Sequence, residues 1–212
     1  MARTLGAVGA QHSTRRGELI ERLRERLGRE GATHASWREL AAAAGVGLST
    51  LAHYFGRRDD VVRAVMEDDL AQGLEPLGVM ATPSGDFAPS VRDAVGHLAA
   101  GLSHGDLSRT YATGLVQCLR HPTLGPAFLD TALEPTLQAV EARLQAHADA
   151  GQLSGDPRAA ALALVAPLLL AYLHQRELGG GKLRPLDLGA FATQHAEAFI
   201  RAYAKPSPRR GA

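Results

Sequence analysis

A chain of 212 residues with 45% hydrophobic and 21% charged side chains has an ordinary globular composition, enough for one medium domain or a small and a larger one. The net charge of +1 excludes a protein that coats nucleic acid without selectivity, and a single cysteine, Cys118, excludes an intramolecular disulfide framework or a Cys-rich zinc site. The first residues lack a long apolar core, and the longest apolar stretch, 159–173, is short for a bilayer and contains Pro167, so a cytoplasmic protein is expected.

Charge is unevenly spread. Residues 1–60 carry ten Arg against seven acidic residues, whereas 61–212 carry thirteen basic against fifteen acidic ones. The basic excess therefore lies at the N-terminal end, as a DNA-facing surface requires. Residues 1–13 are rich in Gly and Ala without periodicity and are expected to form a disordered tail. From Thr14 to Arg29 the spacing of Leu19, Ile20, Leu23 and Leu27 predicts an amphipathic helix with a solvated Arg/Glu face.

Ser36 and Glu39 have the spacing of a capping box, which starts a second helix with Leu40, Ala43 and Ala44 on its apolar face. Gly45 can adopt φ > 0 and so can end that helix and reverse the chain. A short third helix, Leu48 to Phe55, turns Leu51 and Phe55 inward and leaves Ser49, Thr50 and His53 outward. Two helices joined by a short Gly-containing turn, with small polar side chains exposed on the second, suit the DNA major groove.

Arg58, Asp59 and Asp60 open a fourth helix, expected to end near Gly73, whose acids suit the positive end of its dipole. This helix is expected to link the DNA-reading part stiffly to the rest. The Gly-, Pro- and Ser-rich stretch Glu75 to Pro89 reads as a loop. Helical stripes follow at Val91–Leu102 and Leu107–Cys118, then in a longer segment from Leu124 to Ala150 in which Pro135 should kink or break the helix. Asp156-Pro157 is a strong start signal. The helix behind it is apolar on nearly every side, more than one subunit can cover. After Gly179-Gly180-Gly181, a last helix runs from Asp187 to Tyr203. The tail from Lys205 is Pro-rich, basic and expected to be disordered.

Ala44-Gly45-Val46, Thr50-Leu51, His53-Tyr54-Phe55-Gly56 and Arg58 before Asp59-Asp60-Val61-Val62 closely resemble the DNA-binding domain of the TetR family of bacterial transcriptional regulators. Two positions depart from the family pattern. Gly47 stands where a serine usually caps the recognition helix, and Ala52 stands where an aromatic usually touches phosphate. Arg58 replaces the usual lysine and keeps its charge. The resemblance implies an all-α fold, with an N-terminal helix-turn-helix DNA-binding domain over 14–60 and a larger helical ligand-binding and dimerisation domain over 61–204. It also implies a homodimer paired through the last two long helices, a double-stranded operator, and a small molecule that releases the protein from it. The apolar excess of the penultimate helix points to pairing independently.

Leu48, Ser49, Thr50 and His53 are the expected base-edge contacts, and Ser36, Arg38, Tyr54 and Arg58 the expected phosphate contacts. Trp37 either meets the DNA backbone or fills the junction between helices. A mainly apolar ligand is expected among Val65, Met66, Leu98, Leu102, Tyr111, Leu115, Cys118, Phe128, Leu169 and Tyr172. No catalytic or cofactor motif stands out: Gly179-Gly180-Gly181-Lys182 is followed by Leu183 and lacks the hydroxyl of a phosphate loop. The histidines are scattered, which favours packing roles over metal ligation. The alternative reading is an α-helical small-molecule carrier or enzyme whose N-terminal domain mediates association.

Overall fold

The computed structural model describes residues 2–28, 35–104, 107–119 and 121–205, with side chains from Gln11 onward except those of His104 and Arg109. Every named element among these residues is helical. The chain divides into two compact units, one of residues 1–72 with 113–131 and one of 73–112 with 132–212.

The first unit is built on α1 (Ala2–Leu27), α2 (Trp37–Ala44) and α3 (Leu48–Phe55), together with the first part of α4 (Arg58–Ala81). Leu19, Ile20, Leu23 and Leu27 of α1 are buried with Leu40, Ala44, Leu51, Val61 and Val62, so its amphipathic stripe is the floor of the unit. An ion cluster also ties α1 to α4. The Arg24 guanidinium pairs with Asp68 and lies 2.6 Å from Asp69 and 2.7 Å from Glu21. Helix α1 starts at Ala2 rather than at Thr14, where the sequence placed the end of a disordered tail. Its early turns offered no apolar stripe to read, for Gln11, His12, Ser13 and Thr14 are all exposed.

Helix α4 also outruns its expected end. It continues through Pro76 to Ala81, so only 82–86 separate it from α5 (Phe87–His104). Pro76 removes one helical hydrogen bond. The far end is held from elsewhere in the second unit by Arg143, which is 1% exposed. Its Nε donates to Met80 O at 2.7 Å and its Nη2 to Val79 O at 2.9 Å, both carbonyls of the last turn; Val79 O also accepts from Thr82 N at 3.2 Å. Its Nη1 donates to Ser90 O at 2.8 Å and to Asp93 Oδ2 at 2.9 Å on α5.

The rest of the chain forms α6 (Leu107–Cys118), α7 (Leu124–Phe128), α8 (Glu134–Asp149), α9 (Pro157–Tyr172), the short α10 (Gly180–Leu183) and α11 (Leu188–Tyr203). Pro135 does not break its helix. A π-helical turn, Leu129–Leu133, joins α7 to α8 and widens the coil just before the proline. The Ala132 carbonyl on that turn accepts from Thr136 Oγ1 at 3.2 Å and from the Tyr111 hydroxyl at 3.0 Å.

Helix α9 begins as its start signal requires: Asp156 accepts from Ala159 N at 2.8 Å and Pro157 takes the first helical position. With the π turn Leu173–Glu177 it makes a 21-residue helix long and apolar enough by composition to cross a membrane. Here it is packed against α5, α8 and α11, with Leu164 and Leu168 fully buried. His195 of α11 bonds Leu164 O at 2.9 Å, an interhelical role like that expected of isolated histidines. Gly179-Gly180-Gly181 is not a simple loop, because its last two residues open α10. A Cβ at Gly180 would lie 2.4 Å from the His174 carbonyl, so only glycine fits there. Lys205 lies outside the helices, and the expected tail over 206–212 lies outside the described residues.

Candidate nucleic-acid interface

The geometry of the two short helices follows from local chemistry. The Ser36 hydroxyl accepts from Glu39 N at 3.3 Å, and Glu39 Oε2 accepts from Ser36 N at 2.8 Å, so the capping box closes reciprocally. These bonds with Ser36, joined by one from Arg26, hold the Glu39 carboxyl below its ordinary range. Gly45 takes φ 69°, and its N–H returns to the last turn of α2, which reverses the chain into α3 within a few residues. Gly47 caps α3 without any side-chain hydrogen bond, the weaker start that its lack of a hydroxyl requires.

Helix α3 buries Leu51 and Phe55 and exposes Leu48, Ser49, Thr50, Ala52 and His53. The expected base-edge residues thus share one outward face. Ser36 and Arg38 are exposed on the first turn of α2, with Trp37 half-buried between them. Tyr54 is half-buried too, and its ring stacks on His12 of α1 at 4.6 Å.

Arg58, half-buried, holds bonds inside the protein: its Nε donates to Ala35 O at 3.0 Å and its Nη2 to Gln117 Oε1 at 3.3 Å. The guanidinium bridges α4, the entry to α2 and α6 within the first unit. Its partners lie 23 and 59 residues away, so no local signal could have found them. Arg57, the preceding residue, is exposed instead, and its N–H donates to Asp60 Oδ2 at 2.9 Å.

The expected ligand residues fall into two groups. Val65, Met66, Leu115, Cys118 and Phe128 belong to the first unit, where the Phe128 ring packs so closely on Gly114 that a Cβ there would lie 2.2 Å from it. Leu98, Leu102, Tyr111, Leu169 and Tyr172 belong to the second. There the Ser103 hydroxyl donates to Tyr172 Oη at 3.1 Å, and Tyr111 Oη lies 2.9 Å from Thr136 Oγ1. Burial pushes the Tyr111 phenol up, against the effect of that bond.

Cys118 is 3% exposed, and burial pushes its thiol up to about 11. The reactive thiolate is therefore scarce at neutral pH. Iodoacetamide at pH 7.5 is expected to leave Cys118 unlabelled in the native protein and to label it fully in denaturant. Fast native labelling, read by mass spectrometry, would contradict this burial. Among the described residues no group of three or more His, Cys, Asp or Glu side chains is placed to hold a metal ion.

A small helix-turn-helix unit and a larger helical unit built on α5, α8, α9 and α11 define a class of helical DNA-binding regulators. Residues 92–205, just over half of the chain, match the family model of the AefR-like transcriptional repressor C-terminal domain. The chain belongs to the TetR family of transcriptional regulators. Solved structures share its fold. A TetR-family regulator from Mesorhizobium loti superposes with a TM-score of 0.76 at 20% identity, covering 92% of this chain and 98% of that one. SmeT, the repressor of the Stenotrophomonas maltophilia multidrug efflux pump SmeDEF, gives 0.64 at 22% identity over 90% of each chain. SmeT in complex with triclosan gives 0.65 at 20% identity, covering 93% of this chain and 100% of that one. No curated protein matches the chain in sequence.

Proposed function

We propose that the protein is a homodimeric repressor that binds a near-palindromic operator and leaves it when a small, mainly apolar molecule binds. The observation that carries this reading is α3: an eight-residue helix set off by a left-handed glycine, anchored by Leu51 and Phe55, with Ser49, Thr50 and His53 on its free face. Short polar side chains at such a place can reach base edges, while Ser36, Arg38, Tyr54 and Arg58 around it are proposed for phosphates. Two copies would set their α3 helices about 34–36 Å apart, one turn of the duplex.

Dimerisation is proposed through α9 and α11. Leu162 and Leu170 stand two turns apart on one face of α9 and are 56% and 66% exposed, with Ala166 exposed between them. The ligand is proposed to sit among Leu98, Leu102, Tyr111, Leu169 and Tyr172. Both phenols already hold bonds inside the protein, which favours an apolar guest over one needing many polar contacts. SmeT, of the same fold, has been solved with triclosan, a precedent for such a guest.

Fluorescence titration of labelled random duplex DNA across a salt series tests the class. Binding should weaken steeply with salt, with a log–log slope of about −0.9 per phosphate neutralised. A carrier or enzyme would give no such slope.

A further inference from the structure

On α1, His12 and Arg16 lie one turn apart and both meet α3: the Arg16 guanidinium sits over the Phe55 ring at 5.3 Å, and the His12 ring stacks on Tyr54 at 4.6 Å with 21° between planes. His12 also stands edge-on to His53, 6.0 Å away at 85°, and Tyr54 stands edge-on to His53 at 5.6 Å and 81°. The three rings close a triangle of one stacked and two perpendicular pairs, the arrangements aromatic quadrupoles favour. Two of its corners, His12 and His53, are exposed.

An exposed histidine on a short helix samples several rotamers, and a base-edge hydrogen bond must freeze one of them. His53 is different, because rings from two helices already limit its swing. We propose that His12 is a positioning residue for sequence readout: by stacking on Tyr54 and walling His53, it orients the His53 imidazole toward its base pair before DNA arrives. This inference rests on the DNA-binding reading above. It makes the N-terminal part of α1 a component of specificity rather than a tail.

The full-length protein is first used to select its preferred duplex from a random pool. Affinities for that duplex and its single-base-pair variants are then measured for the wild type, His12→Ala, His12→Phe, His53→Ala and the double variant His12→Ala/His53→Ala. His12→Ala should cut discrimination at the base pair that His53→Ala also loses, by about threefold to tenfold. His12→Phe keeps a flat ring on Tyr54 and should restore the wild-type preference. In the His53→Ala background His12→Ala should add nothing at that base pair. Thermal midpoints should fall by no more than a few degrees, since a single exposed ring contact is lost. The proposal is overturned if His12→Ala weakens all duplexes equally, if His12→Phe behaves like His12→Ala, or if discrimination is unchanged. A wild type that selects no sequence at all would overturn the DNA-binding reading itself, and this inference with it.

Discussion

Replacing Arg143 with Met is expected to destabilise the second unit by about 3–5 kcal/mol, the usual cost of breaking a buried charged network by removing one partner. The guanidinium is 1% exposed and serves Val79 O, Met80 O, Ser90 O and Asp93 Oδ2 at 2.7–2.9 Å. Methionine fills much of the volume but donates to none of these acceptors, among them Met80 O in the last turn of α4. Arg143→Lys should lose most of the same stability, because a single ammonium cannot span acceptors on two helices. Urea midpoints at constant m measure both.

The pH dependence of this clamp has a definite sign. Burial alone would raise the Asp93 carboxyl, but the hydrogen bonds from Arg143 and Ser84, with the charges of His97 and Arg143, hold it below its ordinary range. A folded value below the unfolded one gives stability that is complete above about pH 4. It is lost as the pH falls through the lowered folded value. Asp93→Asn should flatten that acid limb.

The second large effect is expected at the face of α9. Replacing Leu162 and Leu170 together with Glu should yield a monomer by sedimentation, since a facing α9 would bring four buried carboxylates together. Neither side chain is part of the unit's core, at 56% and 66% exposure, so the fold itself should survive. A monomer holds one half-site at a time and loses the second contact's effective concentration. Operator affinity should drop about a hundredfold or more, while affinity for a single half-site stays nearly constant. A doubly substituted protein that still sediments as a dimer would place the interface elsewhere.

What the sequence made legible is what local chemistry decides. The α2 cap needs only Ser36 and Glu39, the turn needs only Gly45, and the inward pair Leu51 and Phe55 follows from a one-turn spacing. Asp156 and Asp187 likewise announce α9 and α11, each capping the third residue after it. The misses arise where distant residues decide. Pro76 and the glycines around it read as a loop, yet α4 persists to carbonyls held by Arg143, more than 60 residues downstream. The bonds of Arg58 to Ala35 and Gln117 had no sequence signal, because those residues come to it only in the fold. Pro135 was ambiguous because the π turn that accommodates it has no sequence mark. His12 was passed over because exposed early turns of a helix carry no periodicity, and its partners Tyr54 and His53 sit on another element.

Sequence-selective DNA recognition by two copies of α3 can be read out by sequencing the fragments of the source genome that the purified protein retains at physiological salt. Strong enrichment of a few sites sharing a near-palindrome is expected, with half-site centres about 10 base pairs or a multiple apart. Thr50→Ala and His53→Ala should then relax particular base pairs by about 1–3 kcal/mol each. Retention of fragments without a shared motif, or of none, would contradict such recognition.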